Sequence, residues 1–127
     1  MHGLSYKLVN RESNLLKNKV VQCYKYLDKV VEKVECRDIY NTEDLVKQVV
    51  SGKSDFWIST DKNNNIKGCL IIGVASYPQS LGISAEAVAG KFDFYKLVPM
   101  LEKYYKNLGY EFFEMTGRKG WIRKMEP

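Results

Sequence analysis

The residues able to do chemistry are few in this sequence, and their spacing excludes several mechanisms at once. One histidine, His2, and three cysteines, Cys23, Cys36 and Cys69, are the available soft metal ligands and thiol nucleophiles. None of them stands at the short spacing that a zinc site requires, so neither a metal centre nor a Cys–His pair is expected. There is no Gly-x-Ser-x-Gly elbow to present a serine nucleophile. The stretch Ala89-Gly90-Lys91-Phe92 lacks the leading glycine and the hydroxyl of a Walker-type loop. Glu86 alternates onto the polar face of a strand, where a bare carboxylate reads as solvated; as a general base it would need reach to a substrate and a raised pKa. Tyr110 and the pair Tyr104 and Tyr105 carry hydroxyls suited to a general acid. They fall at core spacing on a helix or at its end, which favours packing. The segment from Gly117 to Lys124 is the most distinctive: Arg118, Lys119, Arg123 and Lys124 surround Trp121. Four cations beside an indole suit phosphates, a nucleic acid or an acidic partner, with the ring stacking on a base or filling a pocket. The simpler reading packs Trp121 onto the sheet and leaves the cations solvated.

The elements that must position these residues follow from composition and period. A chain of 127 residues, 45% hydrophobic and 28% charged, makes one domain spanning 1–127 with a single core. No apolar run approaches the roughly 20 residues of a membrane-spanning helix; the longest, Cys69 to Ser76, suits a buried strand. The N-terminus shows no signal-peptide pattern. An odd number of cysteines in apolar surroundings fits reduced thiols, so the expected location is the cytoplasm. A net charge of +5 is a mild basic bias, not a nucleic-acid signature.

Along the chain, 6–9 is expected to form a first strand. Ser13 is placed to cap a long helix in which Leu16, Val20, Cys23, Leu27, Val30 and Val34 make one apolar stripe. Thr42 is expected to cap a second helix with Leu45, Val46, Val49 and Val50 inward, ended by Gly52. Phe56–Thr60 and Ile66–Ser76, joined by a polar turn from Asp61 to Asn65, read as an antiparallel hairpin. A third strand, Gly82–Ala89, alternates Ile83, Ala85, Ala87 and Ala89 against Ser84, Glu86 and Val88, putting the small residues on one face. Asp93 can cap a further helix bearing Phe94, Leu97, Val98, Leu101, Tyr104, Tyr105 and Leu108. Pro99 requires it either to start late or to kink. Tyr110–Met115 reads as a buried strand and Trp121–Met125 as a short basic helix. Meander strands followed by a strand–helix–strand crossover make an α/β sheet with helices on its faces.

This order, up to the fourth helix, resembles that of the GNAT (GCN5-related) N-acetyltransferases. The tail Glu111-Phe-Phe-Glu-Met-Thr-Gly-Arg-Lys-Gly-Trp-Ile-Arg-Lys-Met resembles the strand–Gly-Arg-x-Gly-Trp-x-Arg segment of GNAT-like proteins from bacteriophages. The resemblance implies a GNAT-like, mainly antiparallel mixed sheet flanked by helices, and Glu86 as the base that takes a proton from an acceptor amine. It also implies that the backbone at Val88, Ala89, Gly90 and Lys91 cradles acetyl-coenzyme A. Two departures stand out. The family's Arg/Gln-x-x-Gly-x-Gly/Ala phosphate loop is replaced by Ala89-Gly90-Lys91-Phe92-Asp93-Phe94-Tyr95, with Asp93 where an anion should bind. The two closing strands are also expected to be missing, the chain being truncated after the fourth helix. Together these imply a catalytically degenerate, phage-type protein without a cofactor, a virion-associated or accessory component of the host cytoplasm or of the virion. It would bind other protein chains through an open sheet edge after Tyr110–Met115. The alternatives are an acetyl-coenzyme A-dependent N-acetyltransferase and a nucleic-acid-associated regulator.

Overall fold

The computed structural model describes residues 3–9, 15–33, 41–115 and 122–124. Within them the chain forms β1 (Ser5–Leu8), α1 (Leu15–Gln22), α2 (Tyr24–Lys33), α3 (Thr42–Val50), β2 (Asp55–Thr60), β3 (Ile66–Tyr77), β4 (Ser80–Gly90), α4 (Phe94–Asn107), β5 (Phe112–Met115) and β6 (Ile122–Lys124). The strands lie side by side in sequence order in one six-stranded sheet. Every neighbouring pair is antiparallel except β4 and β5, which run parallel because α4 carries the chain back between them.

The expected hairpin is present, and its turn has a local cause. The Asp61 carboxylate accepts from the backbone N–H groups of Asn63 and Asn65, both at 2.9 Å, while Asn64 takes the left-handed conformation. These contacts, with the Asn65 backbone foremost, hold the Asp61 carboxyl below its usual range. The apolar run Cys69–Ile72 is buried because helices cover both faces of the sheet. Phe56, Ile58, Cys69 and Ile71 pack against Leu16, Val20, Leu27, Leu45 and Val49 of α1–α3. The alternate residues Trp57, Leu70 and Ile72 pack against Leu97, Leu101 and Tyr105 of α4.

Several expectations are corrected. The long helix is divided at Cys23, yet Val20, Cys23 and Leu27 are all buried, so the stripe survives the break. The side chains of Val30 and Val34, and the expected Ser13 cap, lie outside the described residues. Asn41, not Thr42, caps α3: its side chain accepts from the Asp44 N–H and the Asp44 carboxylate accepts from the Asn41 N–H, a reciprocal pair. The Thr42 hydroxyl instead reaches across to the Asp28 carboxylate. α4 begins at Asp93 as expected but runs on through Pro99, which lies on the exposed side. The segment expected as a short helix contains β6, which pairs with β5 from Phe112↔Lys124 to Glu114↔Ile122. The edge of β5 is therefore covered, not open.

A candidate active site at a bulge in β4

The decisive local feature is in β4. Ile71 of β3 faces Ala87, but the next residue, Ile72, faces Ala85, which leaves Glu86 as one extra residue on β4. Such a bulge keeps two consecutive side chains on the same side of the sheet and reverses the alternation beyond it. Ile83 and Ala85 accordingly belong to the α4 side, whereas Ala87 and Ala89 belong to the α1–α3 side. The single small-residue face expected from strict alternation does not exist.

The bulge turns the Glu86 carboxylate toward α3, half-buried instead of solvated. The buried Ser54 hydroxyl donates to its Oε1 at 2.7 Å. The Gln48 amide, turned with its nitrogen toward the carboxylate, donates to Oε1 and Oε2 at 3.2 and 3.0 Å. Gly73 makes the room, because a Cβ there would sit 2.5 Å from Oε1. Ser54, Gln48 and Gly73 were not singled out from the sequence; the one available signal was a lone glycine inside an apolar strand, a sign of close approach.

The described parallel pairing of β4 with β5 runs from Gly82↔Phe112 to Ala85↔Met115. Val88, Ala89 and Gly90 follow on β4, with Val88 packed toward α4 and Ala89 buried on the opposite face. Gly90 has φ +88, and a Cβ would collide with the Lys67 carbonyl, so the turn out of the sheet requires glycine.

The turn into α4 is already hydrogen-bonded. The Lys91 N–H donates to the Lys67 carbonyl at 2.9 Å. The Asp93 N–H donates to the Tyr6 hydroxyl at 2.7 Å, and the Tyr6 ring stacks on Phe92 with centroids 5.9 Å apart. The Asp93 carboxylate accepts from the Tyr95 N–H at 3.1 Å. Lys91 itself lines a groove of about 310 Å³ on the β3 side of β4, with Lys62, Lys67 and Asp61.

Tyr110 is not brought to Glu86. It packs in the α4-side core with its ring 5.9 Å from that of Tyr105, on the opposite face of the sheet from Ser54 and Gln48. With Asp55, Gly73 and Tyr105 it lines a cavity of about 50 Å³, room for water and not for a substrate. Tyr105 is buried, donates to Asp55 Oδ2 at 2.7 Å and accepts from Trp57 Nε1 at 2.9 Å. Burial, then the Asp55 carboxylate, push its hydroxyl well above the usual tyrosine range, so it serves as a structural donor. Tyr104 is partly exposed, its ring set edge-on to Trp57.

Cys23 and Cys69 are buried free thiols, and contact with Cys23, then burial, push the Cys69 thiol up. No group of three metal-ligating side chains occurs among the described residues. No helix among them is long and apolar enough to cross a membrane. His2, Cys36, Arg118, Lys119 and Trp121 lie outside the described residues, as do the side chains of Arg123 and Lys124.

No protein-family model matches the sequence, and no curated protein does either. Solved structures do resemble the fold. A GNAT family acetyltransferase from Brucella melitensis in complex with acetyl-CoA is 9% identical with a TM-score of 0.65, covering 100% of this chain and 91% of that one. An aminoglycoside acetyltransferase from an uncultured soil metagenomic sample, in complex with sisomicin, is 17% identical with a TM-score of 0.60, covering 91% and 78%. A GNAT family acetyltransferase from Staphylococcus aureus is 16% identical with a TM-score of 0.58, covering 98% and 96%. At such identities the likeness is one of fold, a GNAT-like mixed sheet flanked by helices.

Proposed function

We propose that this protein is an acyl-thioester-dependent N-acyltransferase, with Glu86 as the base that prepares an acceptor amine. The observation that carries the reading is the Glu86 carboxylate itself, brought to the α3 side by the bulge in β4 and held there by a hydrogen bond from Ser54. The fold shared with solved acetyltransferases, one holding acetyl-CoA and another an aminoglycoside, supports the same reading.

In this mechanism the acyl thioester supplies the electrophilic carbonyl carbon. Backbone groups of Val88 to Gly90 would meet the amides of the donor's pantetheine arm. Glu86 takes a proton from the acceptor ammonium, directly or through one water. The amine nitrogen then bonds to the carbonyl carbon, the C–S bond breaks, and the departing sulfur leaves as a thiol once protonated. Ser54 and Gln48 fix the carboxylate so that it need not reorganise as the proton moves.

The nucleotide diphosphate end of coenzyme A would meet the hydrogen-bonded turn capped by Asp93. A role as a virion-associated binding component drew on an open β5 edge, and β6 occupies that edge.

The test is thiol release from acetyl-CoA or acetyl-pantetheine in the presence of a panel of primary amines, aminoglycosides and polyamines included. Glu86→Gln is expected to lower kcat by about 10²–10⁴-fold, the range for general-base loss, with KM little changed. Release no faster than spontaneous hydrolysis with every amine would remove the reading.

A further inference from the structure

We infer that the groove beside the β2–β3 turn is a binding site for an oligophosphate, a chain of linked phosphates either free or carried at the end of a nucleotide. The assignment stands apart from the acyltransfer reading. The groove lies on the β3 side of β4 and shares none of the residues that hold Glu86.

The groove, of about 310 Å³, is lined by Gly3, Asp61, Lys62, Asn63, Lys67 and Lys91 among others. That volume is at the lower end for small-molecule sites and suits a compact ligand. Three segments each bring one lysine to it: Lys62 from the β2–β3 turn, Lys67 from β3 and Lys91 from the turn after β4. Like charges gathered in one concavity repel one another and focus a positive potential there.

Each lysine is placed by its surroundings. The Lys62 stem lies along Gly3, where a Cβ would stand 3.2 Å from both its Cγ and its Cε. The Lys67 ammonium is 3.8 Å from the Asp61 carboxylate. The Lys91 backbone is fixed on both sides: its N–H donates to the Lys67 carbonyl at 2.9 Å and its carbonyl accepts from the Ser59 hydroxyl at 2.8 Å. Asp61 is the one carboxylate among the residues that line the groove. Its oxygens point into its own turn, accepting from the N–H groups of Asn63 and Asn65. Neither Lys62 nor Lys91 makes an ion pair among the described residues. Three lysines against one aspartate leave two positive charges unmatched. A monoanion answers one ammonium, whereas a phosphate chain carries several charges and acceptor oxygens along its length and meets all three.

The experiment titrates tripolyphosphate into the intact protein by calorimetry without divalent metal, beside ATP, adenosine and a single-stranded oligonucleotide. Tripolyphosphate is expected to bind with a Kd below about 1 mM at about 0.01 M salt. Binding should weaken about tenfold or more at about 0.15 M, where the Debye length falls from about 30 to about 8 Å. Lys62→Ala and Lys91→Ala remove exposed side chains and leave the backbone bonds intact, and each should weaken binding about threefold or more. Lys103→Ala takes the same charge from an exposed position on α4 and should change it less than about twofold. ATP within about tenfold of tripolyphosphate identifies the nucleotide-borne chain as a ligand; weaker ATP identifies the free chain. Adenosine should release no heat. Absence of heat with tripolyphosphate, or an equal loss in the Lys103 variant, would overturn the inference. So would binding of the oligonucleotide without binding of tripolyphosphate. Displacement by coenzyme A at about a tenth of the ATP concentration required would give the groove to the acyl donor and overturn it as a separate site.

Discussion

Glu86 owes its environment to residues distant in sequence. Gln48 ends a turn of α3, Ser54 precedes β2, and Gly73 lies on β3, yet all three converge on one carboxylate. Gly73 offers the sharper experiment. A methyl group there meets the mobile end of the Glu86 side chain and not the backbone, so the sheet can accept it while the carboxylate is pushed aside. Gly73→Ala is expected to unfold within about 1 kcal/mol of the parent in urea. On the proposed acyltransfer reading, its activity should fall by about tenfold or more, as misplacement of the base predicts. Activity equal to the parent would show that the Glu86 position does not matter.

Between elements, the fold is tied by polar contacts as well as by area. Tyr105 of α4 joins two residues of β2, accepting from Trp57 and donating to Asp55. Tyr105→Phe keeps the ring in its aromatic cluster but orphans a buried indole N–H and takes one donor from the Asp55 carboxylate, a loss of about 1–3 kcal/mol read from denaturant midpoints. The same hydroxyl gives a pH signature. Its pKa is raised in the folded state, so the unfolded chain loses this proton first. The stability it contributes is full below pH of about 10, the ordinary tyrosine value, and is lost as pH rises beyond it. Tyr105→Phe should flatten that alkaline decline in thermal melts. Gly90→Ala tests the exit from β4. Its positive φ and the Lys67 carbonyl leave no room for a Cβ, so a loss of about 1–3 kcal/mol is expected.

For the molecule as a whole, β6 decides how the sheet ends. It covers the outer edge of β5 and leaves at that end of the sheet a strand of three residues, a poor template for pairing with another chain. Deleting the residues after Met115 is expected to give more concentration-dependent oligomers than the parent on size exclusion. A truncated chain that stays as well behaved as the parent would show that this edge needs no cover.

Periodicity alone carried the helices, the hairpin and the covered strand run, because burial on a known face leaves a repeat of 3.6 or 2 in the residues that make it. Asp93 was equally legible as a cap, since an Asp before a helical repeat has a local job. The short tail misled: Ile122–Lys124 carries too little pattern to tell helix from strand, and its pairing with Phe112–Glu114 is a long-range contact. The same reason hid the site. A bulge is a mismatch between two strands, and neither strand's own alternation reveals it. Sequence therefore determined that the start of α4 carries its own anion, Asp93. Only the tertiary structure decided that Glu86 is turned inward by the bulge in β4 and held by Ser54 and Gln48.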